Sequence, residues 1–168
     1  MVPIRPDSRR SDRGAALVEF ALVLPLLLVV IAGIVDFAFA FQRYEVITNA
    51  AREGARMAVL PVGYTEDEIR LRVREYVRVG LGLPTLAAVD PMMPVANIDV
   101  TYPDLTLGSG TGAITVETAL VEVEYQHSWL ILRPILGLIN KNWGTSITLN
   151  ATSQMTREPG SGSSGGGS

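Results

Sequence analysis

GAALVEFALVLPLLLVVIAGIVDFAFAF, residues 14–41, is the stretch around which the rest of the chain must be arranged. From Phe20 to Val35 no side chain is charged or able to hydrogen-bond, and Asp36 is the only charge between Phe20 and Phe41. Crossing a bilayer takes roughly 20 predominantly apolar residues, and the stretch from Phe20 to Phe41 extends about 33 Å as a helix, against a hydrocarbon core of about 30 Å. The segment therefore reads as a membrane anchor or an export signal, and the residues beyond it must lie on one side of a membrane.

The flanks set the expected orientation. Arg5, Arg9, Arg10 and Arg13 precede the apolar run, and basic flanks stay cytoplasmic. Arg43, Arg52 and Arg56 come after it, so the bias is modest. The expected topology is single-pass in the cytoplasmic (inner) membrane, N-terminus inside and the C-terminal domain extracytoplasmic. A rival is a secretory signal cut after Ala38-Phe39-Ala40, which the length of the apolar run and the nearby Asp36 oppose. Arg9-Arg10 is weak as a twin-arginine signal. Pro25 predicts a kink, which membrane helices tolerate better than soluble ones.

Two acids bracket the run, Glu19 and Asp36, about 25 Å apart on a helix. Asp36 reads as an ordinary interfacial acid. Glu19 is set apart by Gly14, five residues upstream, with only small or apolar residues between. Gly14-Ala-Ala-Leu-Val-Glu19-Phe20 resembles the processing motif of type IV prepilins. That resemblance implies cleavage between Gly14 and Ala15 by a prepilin peptidase, and a role for Glu19 in assembly. The chemistry is coherent: cleavage frees the α-amine of Ala15, and a carboxylate nearby pairs a cation that is costly to bury alone.

Residues 42–60 read QRYEVITNAAREGARMAVL. The string from Asn49 to Arg56, NAAREGAR, resembles the signature of TadE-like proteins, components of tight-adherence (Tad) pili. Those proteins also begin with an R-G-A-x-x-V-E-F run, matched here from Arg13 to Phe20. The likeness continues weakly to Thr148–Glu158, which resembles their final strand. It implies a minor pilin or pseudopilin acting in pilus assembly and surface adherence, with other pilin subunits, a prepilin peptidase and the pilus assembly platform as partners. The alternative is a non-polymerising single-pass protein whose exported domain binds a ligand or an envelope partner. Such a protein has no use for Gly14 or Glu19.

The chain has 168 residues, 48% hydrophobic. Outside the first 60 residues and the tail, enough chain remains for one small core. There is no Cys, which excludes a disulfide framework, a thiolate metal site or a cysteine nucleophile. The formal charge is −3, and residues 1–14 contribute four Arg and two Asp, so the remainder is more acidic still. That balance argues against nucleic-acid binding. No nucleophile–base pair, phosphate loop or metal-ligand spacing stands out, so no catalytic residue, metal or cofactor is expected. His127 stands alone. Glu117 lies opposite Glu122 and Glu124 by strand alternation, and the latter pair reads as a solvated face rather than a Ca²⁺ contact.

The expected fold is α+β. Residues 1–14 form a polar cytoplasmic leader. One helix spans 15–60, in the membrane to about 41. A domain over 61–158 supplies one further helix and an antiparallel sheet of three or more strands. The tail at 159–168 is a flexible Gly/Ser linker of engineered appearance. Ala51, Gly54, Ala55 and Ala58 put small residues on one side of the first helix, a packing seam either for the chain's own sheet, the reading preferred, or for neighbouring subunits.

Thr65 and Glu68 predict a capping box opening a helix over 65–79, with Ile69, Val73, Tyr76 and Val77 inward and Gly80 as the stop. Arg70, Arg74 and Arg78 repeat beside that face and read as solvated. Alternation predicts strands over 95–102, 113–125 and 146–157, with a loop over 103–112 and a bulge near Thr118-Ala119-Leu120. The apolar run from Trp129 to Ile139 is too interrupted to span a membrane. It reads as a cover for the sheet, with a subunit or outer-leaflet contact as the alternatives.

Overall fold

The computed structural model describes residues 8–109, 112–139 and 146–157. Leader residues 1–7, Trp143 and the Gly/Ser tail lie outside the described residues. The first helix, α1, is 51 residues long, Ser8–Ala58, and carries Pro25 in its interior. It begins upstream of Ala15, so helical backbone runs into the predicted leader. From Gly14 onward it is long and apolar enough to cross a membrane.

The chain divides into two compact units. One comprises α1 up to Phe39 with the segment from Trp129 through α3, Leu132–Ile139. The 129–139 run, expected to cover the sheet, groups instead with the apolar half of α1, and it contains a helix where the sequence suggested only a break. The second unit takes α1 from Ala40 together with everything else through Ser128, and resumes at Ser146.

In the second unit α2 spans Glu66–Gly80. Thr65 caps it as the sequence implies: its side chain accepts from the Glu68 N–H, and the Glu68 carboxylate accepts from the Thr65 N–H at 2.8 Å. The stop is Gly82 rather than Gly80. Gly82 has φ of 64°, its N–H donates to Val79 O, and the Leu83 N–H donates to Arg78 O, the two bonds of a Schellman ending. Gly80 serves another purpose: a Cβ there would lie 2.7 Å from Val46 Cγ1 of α1. Ile69, Val73 and Val77 are buried, whereas Tyr76 is exposed.

Four antiparallel strands form the sheet: β1 Ile98–Thr101, β2 Asp104–Leu107, β3 Ile114–Ser128 and β4 Ser146–Thr156. β3 is central, with β4 along one side and β1 then β2 along the other. The loop expected at 103–112 is therefore partly strand. Registers Thr101↔Leu120 and Asp104↔Glu117 are continuous, so β1 and β2 are one strand interrupted at Tyr102-Pro103. Proline has no N–H for the ladder, but the Pro103 carbonyl still accepts from the Thr118 N–H and hydroxyl.

The bulge expected near Thr118 is absent. β3 pairs with β4 residue for residue from Thr118↔Thr156 to Ser128↔Ser146. The change of apolar phase instead marks a change of face. Ile114 and Val116 sit opposite Leu107 and Leu105 on the hairpin, whereas Ala119, Val121, Val123 and Tyr125 turn to the core. That core joins Ile47, Ala50 and Ala51 of α1, Ile69, Val73 and Val77 of α2, Val89 and Met93 of the connection, Ile98 and Val100 of β1, and Ala151 of β4.

Candidate functional site

α1 carries the residues expected to act in processing, assembly and helix packing, and its two halves differ. Over residues 14–31 every side chain is exposed, including Leu22 at 75% and Leu26 at 67%. Gly14, Ala15 and Glu19 are among these exposed residues. A Cβ added at Gly14 would meet nothing within 4 Å. Bulky apolar side chains distributed all round a helix with nothing of their own chain against them suit apolar surroundings.

Asp36 behaves unlike Glu19. It is fully buried, and its carboxylate accepts hydrogen bonds from three successive backbone N–H groups. The distances are 3.0 Å from Leu130, 3.1 Å from Ile131 and 2.7 Å from Leu132. Leu132 is the first residue of α3, so Asp36 satisfies donors that no intrahelical carbonyl can reach, and its negative charge suits that helix end. Asp36, read from the sequence only as an interfacial acid, also caps a helix start 94 residues away. Beside it, the Phe37 and Trp129 rings meet edge to face at 5.4 Å.

Within the second unit, Ala51, Gly54, Ala55 and Ala58 are all buried against the chain's own core. Gly54 marks the tightest point: a Cβ there would fall 2.7 Å from Val73 Cγ2 and 3.2 Å from Val121 Cγ1. The signature string thus reads structurally as a surface on which α2 and β3 approach the helix backbone. Its acid adds a charged strap. Glu53 bonds Arg56 one turn on and Arg72 of α2, at 3.0 Å and 3.3 Å. The Arg56 hydrogen bond is foremost in holding the Glu53 carboxyl below its usual range.

The arginine stripe of α2 is engaged rather than solvated. Arg70 donates to Ile98 O at 3.2 Å and pairs with Glu66 and Asp67. Arg74 reaches Leu86 O and Asp90, and Arg78 reaches Leu83 O and Glu75. Three guanidiniums thereby hold the irregular 83–98 connection against α2. On β3, Glu122 and Glu124 are exposed, with Asp99 directly opposite Glu122. Among the described residues, no three or more His, Cys, Asp or Glu gather to hold a metal.

His127 is buried and accepts at Nδ1 from the Arg43 guanidinium. Tyr125, also buried, donates its hydroxyl to Met92 Sδ at 2.8 Å, and burial pushes its phenol up against the opposing pull of Arg43. Sequence reasoning missed the Asp36 cap and the Arg43–His127 pair. Their partners lie 84 to 96 residues apart, and no local pattern announces them.

No curated protein and no solved structure matches the chain. One family model does. It is described as TadE-like protein, it begins at Gly14, and it ends at the last residue of the NAAREGAR string. Over residues 14–56, therefore, the chain is similar to the TadE-like protein family.

Proposed function

We propose that the chain is a membrane-anchored minor pilin or pseudopilin of a tight-adherence pilus, acting in pilus assembly and surface adherence. It crosses the cytoplasmic (inner) membrane once, with its N-terminus on the cytoplasmic side and its sheet domain extracytoplasmic. The observation that carries this reading is the bare apolar surface of α1 over residues 14–31, which lies within the family match and includes Glu19. Such a surface is usable twice, first against lipid and then against the helices of neighbouring subunits.

The partners on this reading are a prepilin peptidase, the assembly platform and other pilin subunits. The peptidase cuts between Gly14 and Ala15. Helical backbone is continuous across that bond, so the enzyme must open it locally, and glycine eases opening because it is about 1 kcal/mol poorer in a helix than alanine. Cleavage leaves an ammonium on Ala15. In an apolar helix bundle that cation needs an anion, and Glu19 supplies one about one turn along the same helix face. The small residues of the outer half, Ala51, Gly54, Ala55 and Ala58, serve the subunit's own core, so subunit contact falls to the apolar half.

Intact-mass measurement of protein recovered from the native host tests the reading. The expected chain starts at Ala15. A chain starting at Phe41 would establish secretory cleavage instead, and an uncut chain in cells bearing these pili would favour the non-polymerising anchor.

A further inference from the structure

We propose that Trp129–Ile139 is a second membrane-contacting element, an apolar wedge seated in the outer leaflet beside α1 and held there by the Asp36 carboxylate. The inference rests on the membrane reading of α1 and extends it to a segment 94 residues downstream.

Three observations converge on it. First, Trp129 through Ile139 contains one charge, Arg133, among Trp, Leu, Ile, Pro and Gly. Its helix α3 has eight residues, far short of a span, so the element suits the interface between headgroups and acyl chains. Second, α3 groups with the apolar half of α1, whose Ile34 and Phe37 are 65% and 63% exposed on the turn that carries Asp36. Leu130 is 62% exposed, so the two segments add to one apolar surface. The occupant is argued from that continuity: the medium that covers Ile34 and Phe37 also covers Leu130.

Third, the Asp36 carboxylate and three backbone donors at the start of α3, polar groups that would oppose such a seat, satisfy one another. The start of a helix carries N–H donors without intrahelical partners, and an unmet donor in hydrocarbon costs several kcal/mol. A lone carboxylate at the same depth is equally unwelcome. Each answers the other here, since Leu130, Ile131 and Leu132 all donate to Asp36. Trp129, whose ring meets Phe37 edge to face, is of the residue type enriched at the headgroup boundary. Arg133 is exposed, and its long stem allows the guanidinium to reach lipid phosphate.

The test uses the full chain carrying Trp143→Phe, which leaves Trp129 as the sole tryptophan. The protein is reconstituted in phosphatidylcholine vesicles whose acyl chains are brominated near the headgroup, and iodide is added to the water. Trp129 should lose most of its emission to brominated lipid and little to iodide. Adding Asp36→Ala should weaken lipid quenching, and Asp36→Asn, which keeps one acceptor oxygen, should fall between. Quenching by iodide alone would mean that Trp129 faces water, and quenching by neither would mean that protein covers it, from this chain or a second copy. Either result overturns the wedge. Unchanged lipid quenching in Asp36→Ala would overturn the role given to Asp36, and the unsubstituted arm stands whether or not that variant folds. Alkaline carbonate washing separates the two levels. Protein that stays with the vesicles but shows no lipid quenching refutes the wedge alone, whereas protein that washes out refutes the membrane reading and the wedge with it.

Discussion

The two halves of α1 belong to one continuous helix and use their apolar residues in opposite ways. Residues 20–35 place Leu, Val, Ile and Phe on every side and bury almost none of them. Residues 47–58 concentrate Ala and Gly on one side and bury every one of these. The contrast shows that hydrophobicity alone does not say what a helix packs against. Bulk all round calls for a medium that adapts to the helix, whereas a one-sided strip of small residues calls for a rigid surface brought close to the backbone. Gly33 and Gly54 express the difference in a single residue type. A Cβ at Gly33 meets nothing within 4 Å, and one at Gly54 meets Val73 at 2.7 Å.

Paired substitutions in the full chain, monitored by urea unfolding of the sheet domain, sharpen the comparison. The largest effect should come from Ile47→Ala, which empties a fully buried site and should cost about 2–5 kcal/mol. Ile31→Ala, on the exposed half, should leave the same transition unmoved. Next is Gly54→Ala. Overpacking against Val73 costs about 1–3 kcal/mol, and the gain in helix propensity of about 1 kcal/mol offsets only part of it. Gly33→Ala has only the propensity gain and should not destabilise anything. If both glycine substitutions behave alike, the packing distinction between the halves is wrong.

Two smaller effects depend on pH and concern the domain half alone. Burial raises the Tyr125 phenol, so its contribution to stability is complete below the ordinary tyrosine value of about 10 and is lost as pH rises through the folded value. Tyr125→Phe should cost up to about 1 kcal/mol at neutral pH and should remove the tyrosine's share of the alkaline loss. Glu53 is shifted the other way. Its contribution is present above the usual carboxylate range and fades as pH falls through the lowered value. Glu53→Gln should cost about 0.2–1 kcal/mol at pH 7, with the difference from wild type vanishing in acid.

Features with a local signal were legible in the sequence. The Thr65/Glu68 capping box, the length of the apolar run and the alternation of β4 each depend on residues close together in the chain. β2 was hidden because Pro103 and the glycines that follow are turn chemistry, yet Pro103 only interrupts a strand, and Gly108 comes after β2 has ended. The supposed bulge was a change of buried face, which single-strand periodicity cannot distinguish from a register slip. Arg70, Arg74 and Arg78 had the spacing of a solvated stripe, yet besides nearby acids each reaches a backbone carbonyl, of Ile98, Leu86 and Leu83, that no local pattern announces. Asp36 was the largest omission. Glu19 and Asp36 look alike in sequence, and only the return of the chain at residues 130–132 gives Asp36 its cap.

The contrast between the halves is tested most directly by a cysteine scan, since the chain has no cysteine of its own. Single cysteines at Leu22, Leu26, Val30 and Ile34, and at Ile47, Ala51 and Ala55, are labelled with a water-soluble maleimide in membrane vesicles, before and after urea. Gln42→Cys serves as the exposed control. Both sets should label slowly at first, and urea should open only the second, because denaturant unfolds a domain core but does not strip a helix from lipid. Labelling of the first set at the rate of the control, or opening of both sets together in urea, would contradict the account.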